Sequence, residues 1–245
     1  MIGEGRASLS FMRNVSKRTF IREAHEIATE LENTVQSNFE AFLGFLYDYP
    51  IVANKKGGVV LKETSTADEI SAFLRTYLKQ YFASKSKRIV LKDVGTVPDP
   101  AVDVVLEVFG RFSKADLAAM RENHRASMAA ENKVGQLLEA YLAAKLEPKG
   151  WFWCNCNIVK GVDFFKPGTP AHLLQVKNRS NSENSSSQAI RKTLEDAGCP
   201  VKIEKWYRTE SSTGETRWND FEGNSRGSLL SEEGFHNFIR AYAIE

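Results

Sequence analysis

The chain has 245 residues, of which 42% are hydrophobic, enough to bury one sizeable core or a compact catalytic domain with helical decoration. A formal charge of only +2 excludes a non-specific electrostatic coat for nucleic acid, so any basic surface has to be local. Neither a signal peptide nor a membrane-length apolar run is present, and three cysteines, two of them in Cys154-Asn155-Cys156, suit buried thiols in a reduced compartment better than disulfides or zinc. A soluble cytoplasmic protein with no membrane partner is the expectation.

From Ser16 to Tyr49, Phe20, Ala24, Ile27, Leu31, Phe39, Phe42 and Leu46 recur at helical spacing, which predicts one long helix or two shorter ones. Gly57-Gly58 and Val59-Val60-Leu61 predict a turn and a short strand. Ser65 and Thr66, with Asp68 and Glu69 three residues on, predict a capped helix buried through Ile70, Phe73, Leu74 and Tyr77. Its basic end, with Lys79, Lys85, Lys87 and Arg88, reads equally as a solvated terminus or a phosphate-contacting patch. Asp99-Pro100 opens another helix, and Ser113 opens an alanine-rich one running to about Lys145. On that helix Glu131 borders the apolar stripe of Val134, Leu137, Leu138 and Tyr141, whereas Glu139 reads as a surface residue.

Helix gives way to sheet at Trp151-Phe152-Trp153. The turn residues Lys166-Pro167-Gly168-Thr169-Pro170 separate two short apolar runs and predict a hairpin over Asp163–Lys177. Strand alternation turns Leu174 and Val176 to one side and Gln175 and Lys177 to the other, so two polar side chains leave an apolar sheet together. His172, at the hairpin's edge, is a weaker candidate for a base. The tract from Asn178 to Ser187 reads as a plain loop or as a DNA-reading one, since short amide and hydroxyl side chains suit base edges. Residues 188–197 predict a short helix. Val201–Arg208 and a return strand from Thr216 predict a second hairpin carrying Lys202, Lys205, Arg208 and Arg217, of a size that fits a major groove. Leu229–Ala243 closes the chain as a helix capped by Ser231.

If the Glu131 helix packs on the sheet, Glu131, Asp163 and the Gln175 amide oxygen form a hard-oxygen pocket suited to Mg²⁺. Lys177 beside it would position a water and stabilise charge developing on phosphorus, so the chemistry points to metal-assisted phosphodiester hydrolysis. Asp163, the hairpin, Gln175-Val176-Lys177 and a glutamate on a preceding helix together resemble the PD-(D/E)XK nucleases, type II restriction endonucleases above all, over roughly residues 125 to 210. The resemblance implies an α/β (α+β) fold with a mixed β-sheet core flanked by helices. It also implies metal binding by Asp163, Gln175 and Glu131, and assistance to the nucleophile by Lys177. The tract after Lys177 is also similar to that of SinI-type enzymes, which read a short GG(A/T)CC-like site.

Two positions depart from the pattern. Val162 stands for the motif's proline, and Gln175 for its usual carboxylate, which removes a negative charge from the metal site. The resulting expectation is a homodimeric, Mg²⁺-dependent endonuclease acting on double-stranded DNA at a palindromic or pseudopalindromic site. DNA contacts would come from Arg179, Asn181, Asn184, Lys205, Arg208 and Arg217. Residues 1–112 would form a helical region for DNA contact or dimerisation, and residues 113–245 the catalytic core. The alternatives are a repair or junction-resolving nuclease, and a DNA-binding module whose nuclease site has decayed.

Overall fold

The computed structural model describes residues 12–90, 99–180, 192, 194–196, 199, 201–224 and 229–244. They fall into two units, one of residues 1–87 with 141–245 and one of residues 88–140. No described helix is long and apolar enough to cross a membrane.

The first unit is built on a four-stranded sheet of order β1-β2-β3-β4, with β1 at Phe152–Trp153, β2 at Phe164–Lys166, β3 at Ala171–Arg179 and β4 at Val201–Thr209. β2 and β3 form the expected antiparallel hairpin, pairing Phe165 with Leu173. β4 runs parallel to β3 in unbroken register from Ala171–Val201 to Lys177–Tyr207. The second hairpin is shorter than expected, with the Arg217 N–H donating to the Arg208 carbonyl at 2.7 Å. After β4 only an isolated Thr209–Thr216 bridge forms, and Trp218 enters a short 3-10 turn instead of a return strand, because its indole is buried. The strand expected at 59–61 likewise reduces to a bridge between Lys56 and Val59.

The helices form where their caps dictate. α1 (Lys17–Glu30) starts at Ser16, whose hydroxyl accepts from the Thr19 N–H, and α2 (Ser37–Asp48) is separate from it. α3 (Ala67–Ser86) begins with the reciprocal Thr66/Glu69 capping box. Alternation along the strands then sorts the core into two halves. Phe165, Leu173 and Ile203 share one face, which packs under α1, α2 and α3; there Phe42 stacks on Phe152 at 4.5 Å, and Phe39 at 4.7 Å. On the other face Trp206 meets Trp218 and Phe221, an aromatic set that continues through Tyr141 to Phe235. Tyr141 lies near the end of α5 (Lys114–Leu146), and Phe235 on α6 (Glu232–Ile244), which starts where the Ser231 hydroxyl accepts from the Gly234 N–H. A sheet buried on both faces leaves little room for polar side chains, so those that enter it need a reason.

The second unit is a pair of helices, α4 (Pro100–Gly110) and most of α5. Asp99 caps α4 through the Ala101 N–H, with Pro100 in the first turn, and Ser113 and Asp116 cap α5 reciprocally.

Candidate active site

Asp163, Gln175 and Lys177 come together on the face of the sheet that α1–α3 cover further along. Asp163 directly precedes β2 and extends its register: its N–H donates to the Leu174 carbonyl at 2.9 Å, and its own carbonyl accepts from the Cys154 N–H at 2.8 Å. This places Asp163 opposite Gln175. Counting by twos from Phe165 and Leu173 then gives one polar row, Asp163–Gln175–Lys205 across three strands, with Lys177 and its register partner Tyr207 one step on. The face is apolar under the helices and turns polar where they end.

Burial dominates the electrostatics of this row. The Asp163 carboxylate accepts from the Val176 N–H at 2.7 Å, and the nearby Lys177 ammonium favours its ionised form. Even so, desolvation dominates and raises its pKa from the usual 3.8 to about 6. Beside it the Gln175 side chain is buried, 4% exposed, and its Oε1 has no hydrogen-bond partner. A buried acceptor left unsatisfied costs about 1–3 kcal/mol, and a bound cation is one way to satisfy it. An aspartate oxygen and an amide oxygen are hard donors that suit a divalent ion such as Mg²⁺, so the residues fit the metal.

Glu131 sits at an exposed position of α5 within the second unit, whereas Asp163, Gln175 and Lys177 belong to the first. Arg179 ends β3 on the Lys177 face and is exposed. Asn181 and Asn184 lie outside the described residues. Arg208 falls on the opposite face, and its guanidinium is enclosed: it donates to Asn178 and Glu232 and lies over the Phe235 ring, which ties it to α6. Arg217 covers the Tyr207 ring at 4.5 Å, donates to the Tyr207 hydroxyl, and pairs with Asp220 at 2.7 Å. Tyr207 escaped the sequence reading. Its place beside Lys177 depends on the parallel register of β4, which alternation within one strand does not supply.

A second polar cluster also went unseen. His172, 7% exposed and packed on Trp151, lies on the opposite face of β3 from Gln175. Its Nε2 is 3.2 Å from Glu204, off the hydrogen-bond direction, and its Nδ1 is 3.5 Å from Glu222. The ligand atoms of the three lie within 4.8 Å of one another, but Lys202 Nζ is already 2.5 Å from Glu222 and 3.5 Å from Glu204. Burial lowers the His172 pKa, while the Lys202 hydrogen bond lowers that of Glu222.

Comparison with known proteins bears on what such a site does. The family model described as SinI restriction endonuclease matches residues 20–245. The chain is 36% identical over 239 residues to the type II restriction enzyme Eco47I of Escherichia coli, covering 94% of this chain and 99% of that protein. It is 37% identical over 233 residues to the type II restriction enzyme SinI of Salmonella infantis, covering 91% and 95% respectively.

Proposed function

The chain belongs to the SinI restriction endonuclease family and is a type II restriction enzyme, a site-specific deoxyribonuclease; from that premise we propose that Asp163, Gln175 and Lys177 are its catalytic centre. The observation that carries this reading is the unpartnered Gln175 Oε1 buried beside an aspartate whose burial the Val176 N–H and Lys177 offset only in part. A decayed site has no reason to keep a buried, unsatisfied oxygen on the strand position opposite a carboxylate. Family membership likewise favours cleavage that follows sequence over a repair or junction-resolving role.

Type II restriction enzymes generally use a divalent metal, and here Asp163 and the Gln175 amide oxygen would hold it, with Mg²⁺ as the physiological ion. When bound, the ion neutralises phosphate charge and acidifies a water. The Lys177 ammonium would orient the attacking water and offset the charge that builds on the phosphate oxygens as the water's oxygen bonds to phosphorus and gives up its proton to solvent, while the bond to the sugar oxygen breaks and that oxygen takes a proton from solvent. Arg179 and Lys205, on the same face, are the phosphate-contacting cations of this reading, with Asn181 and Asn184 as candidate base readers. Arg217 contributes by fixing Tyr207 beside Lys177. The enzyme acts as a cytoplasmic homodimer on a palindromic or pseudopalindromic site, so that each copy cuts one strand.

Incubating the protein with plasmid DNA and Mg²⁺ tests the reading directly. Discrete bands whose sequenced ends share one short site are expected, and none from Asp163→Asn. A smear, or equal cutting by Asp163→Asn, overturns it.

A further inference from the structure

The two helices of the second unit present an amphipathic surface turned inside out. In α4, Asp103 and Leu106 are the half-buried residues, and Asp103 pairs with Arg121 of α5, so the face that meets α5 is the one carrying the acid. At about 100° per residue, Val104, Val105 and Val108 lie on the opposite face, with Phe109 and Val102 along one edge of it and Glu107 at the other. All five apolar residues are exposed, Val108 at 64% and Phe109 at 84%, and no residue of the helix is buried. Phe112 and Met120, next along the chain, are exposed as well. Water-facing helix surfaces normally carry the charge and turn their apolar stripe inward.

We propose that this apolar face of α4 is the dimer interface, and that its occupant is the same face of a second copy. The inference rests on the homodimer reading above and supplies its surface. DNA does not suit the face: from Asp99 to Gly110 there is no lysine or arginine, while Asp99, Asp103 and Glu107 are acidic and repel phosphate. A second copy suits it on three counts. The fractional exposures of the five α4 residues with Phe112 and Met120 correspond to on the order of 600 Å² per copy, so a two-fold pairing that covered them all would bury about 1,200 Å², the lower edge of the range of stable interfaces. The stripe holds no charge, so apolar meets apolar across the axis, and Asp103, on the α5 face, stays clear of its symmetry mate. The valines are short, which allows two helices to approach closely along the three turns of α4.

Sedimentation velocity of the full chain, without DNA or metal and over a wide concentration range, provides the test. The unmodified protein should run at twice the chain mass. Val104→Glu with Val108→Glu should weaken association by at least ~100-fold, since both substitutions put charge at the centre of the contact. Should that double variant lose helix by circular dichroism, Val108→Cys serves instead, and mild oxidation should give a covalent dimer that reductant reverses. A monomeric unmodified protein, a double variant that still dimerises, or a Val108→Cys protein that does not cross-link overturns the inference. A monomeric protein whose DNA binding fell with the glutamates would make the face a DNA contact and overturn it equally. Because no DNA enters the sedimentation runs, failure of the endonuclease reading shows separately, as an α4-joined dimer that cuts nothing.

Discussion

The two faces of β3 place polar side chains in the same buried sheet and treat them oppositely. On one, His172 meets Glu204 and Glu222, and Lys202 spans both carboxylates, so the charges largely compensate. On the other, burial outweighs the pull of Lys177 on Asp163, and Gln175 offers an oxygen to nothing. Each face thus leaves one buried polar atom unpartnered, His172 Nε2 on one and Gln175 Oε1 on the other, but only the first has a lysine, Lys202, between its carboxylates. Ligand count alone points to the His172 face; the proposed reading rests instead on the burial of Asp163 beside Gln175.

Asp163→Asn is the strongest way to break that contrast. Cleavage of plasmid DNA should fall by at least ~10³-fold, through loss of the anionic metal ligand. Folding should respond in the opposite direction. The Asp163 carboxyl holds its proton up to about pH 6 in the folded chain against 3.8 ordinarily, so the folded state binds the extra proton between those values. Its contribution is therefore fully present below about pH 4 and lost as pH rises through 6, leaving a penalty of about 2–3 kcal/mol at neutral pH in metal-free protein. In chelator at pH 7.5, Asp163→Asn should unfold at higher denaturant than the parent, and Mg²⁺ should stabilise the parent alone. Equal stability of the two proteins in chelator would remove the argument from burial.

Lys177→Ala should lower cleavage by about 10²–10³-fold while leaving Mg²⁺ binding by calorimetry intact, because the ammonium acts on the water and the phosphate rather than on the ion. Gln175→Leu keeps the volume and deletes the oxygen. It should fold at least as stably as the parent, since an unsatisfied acceptor disappears, yet cut roughly 10–100-fold more slowly and require more Mg²⁺. Gln175→Glu should lower the Mg²⁺ requirement instead. An unchanged Mg²⁺ titration in both Gln175 variants would show that the amide oxygen is not a ligand.

Local signals made much of this legible in the sequence. Thr66/Glu69, Asp99-Pro100 and Ser113 announce their helices, and Lys166–Pro170 announces the β2–β3 hairpin, because caps and turns are chemistry between near neighbours. Alternation also grouped Gln175 with Lys177. What stayed hidden depends on distant partners. The register of β4 decides that Lys205 and Tyr207 join the Asp163 row, and that Arg208 points to α6. The same register brings Glu204, and the turn after Trp218 brings Glu222, to His172. The return strand from Thr216 was read too long at Trp218 because a burial-driven aromatic reads like a strand residue when its packing partners, Trp206 and Phe235, lie far away in sequence.

The smallest effect should come from the more conspicuous cluster. His172→Gln removes the ring between Glu204 and Glu222 and its packing on Trp151, while Lys202 remains to hold the two carboxylates. The loss should be about 1–2 kcal/mol of unfolding free energy in urea, mostly from packing, because Gln fills less of the space and the Lys202 pairs are largely exposed. Cleavage at saturating Mg²⁺ should stay within about twofold, since His172 and Asp163 lie on opposite faces of the sheet and share no partner. A large fall in cleavage that added Mn²⁺ or Zn²⁺ reversed would mean that the His172 face also holds an ion, and would dissolve the contrast between the two faces.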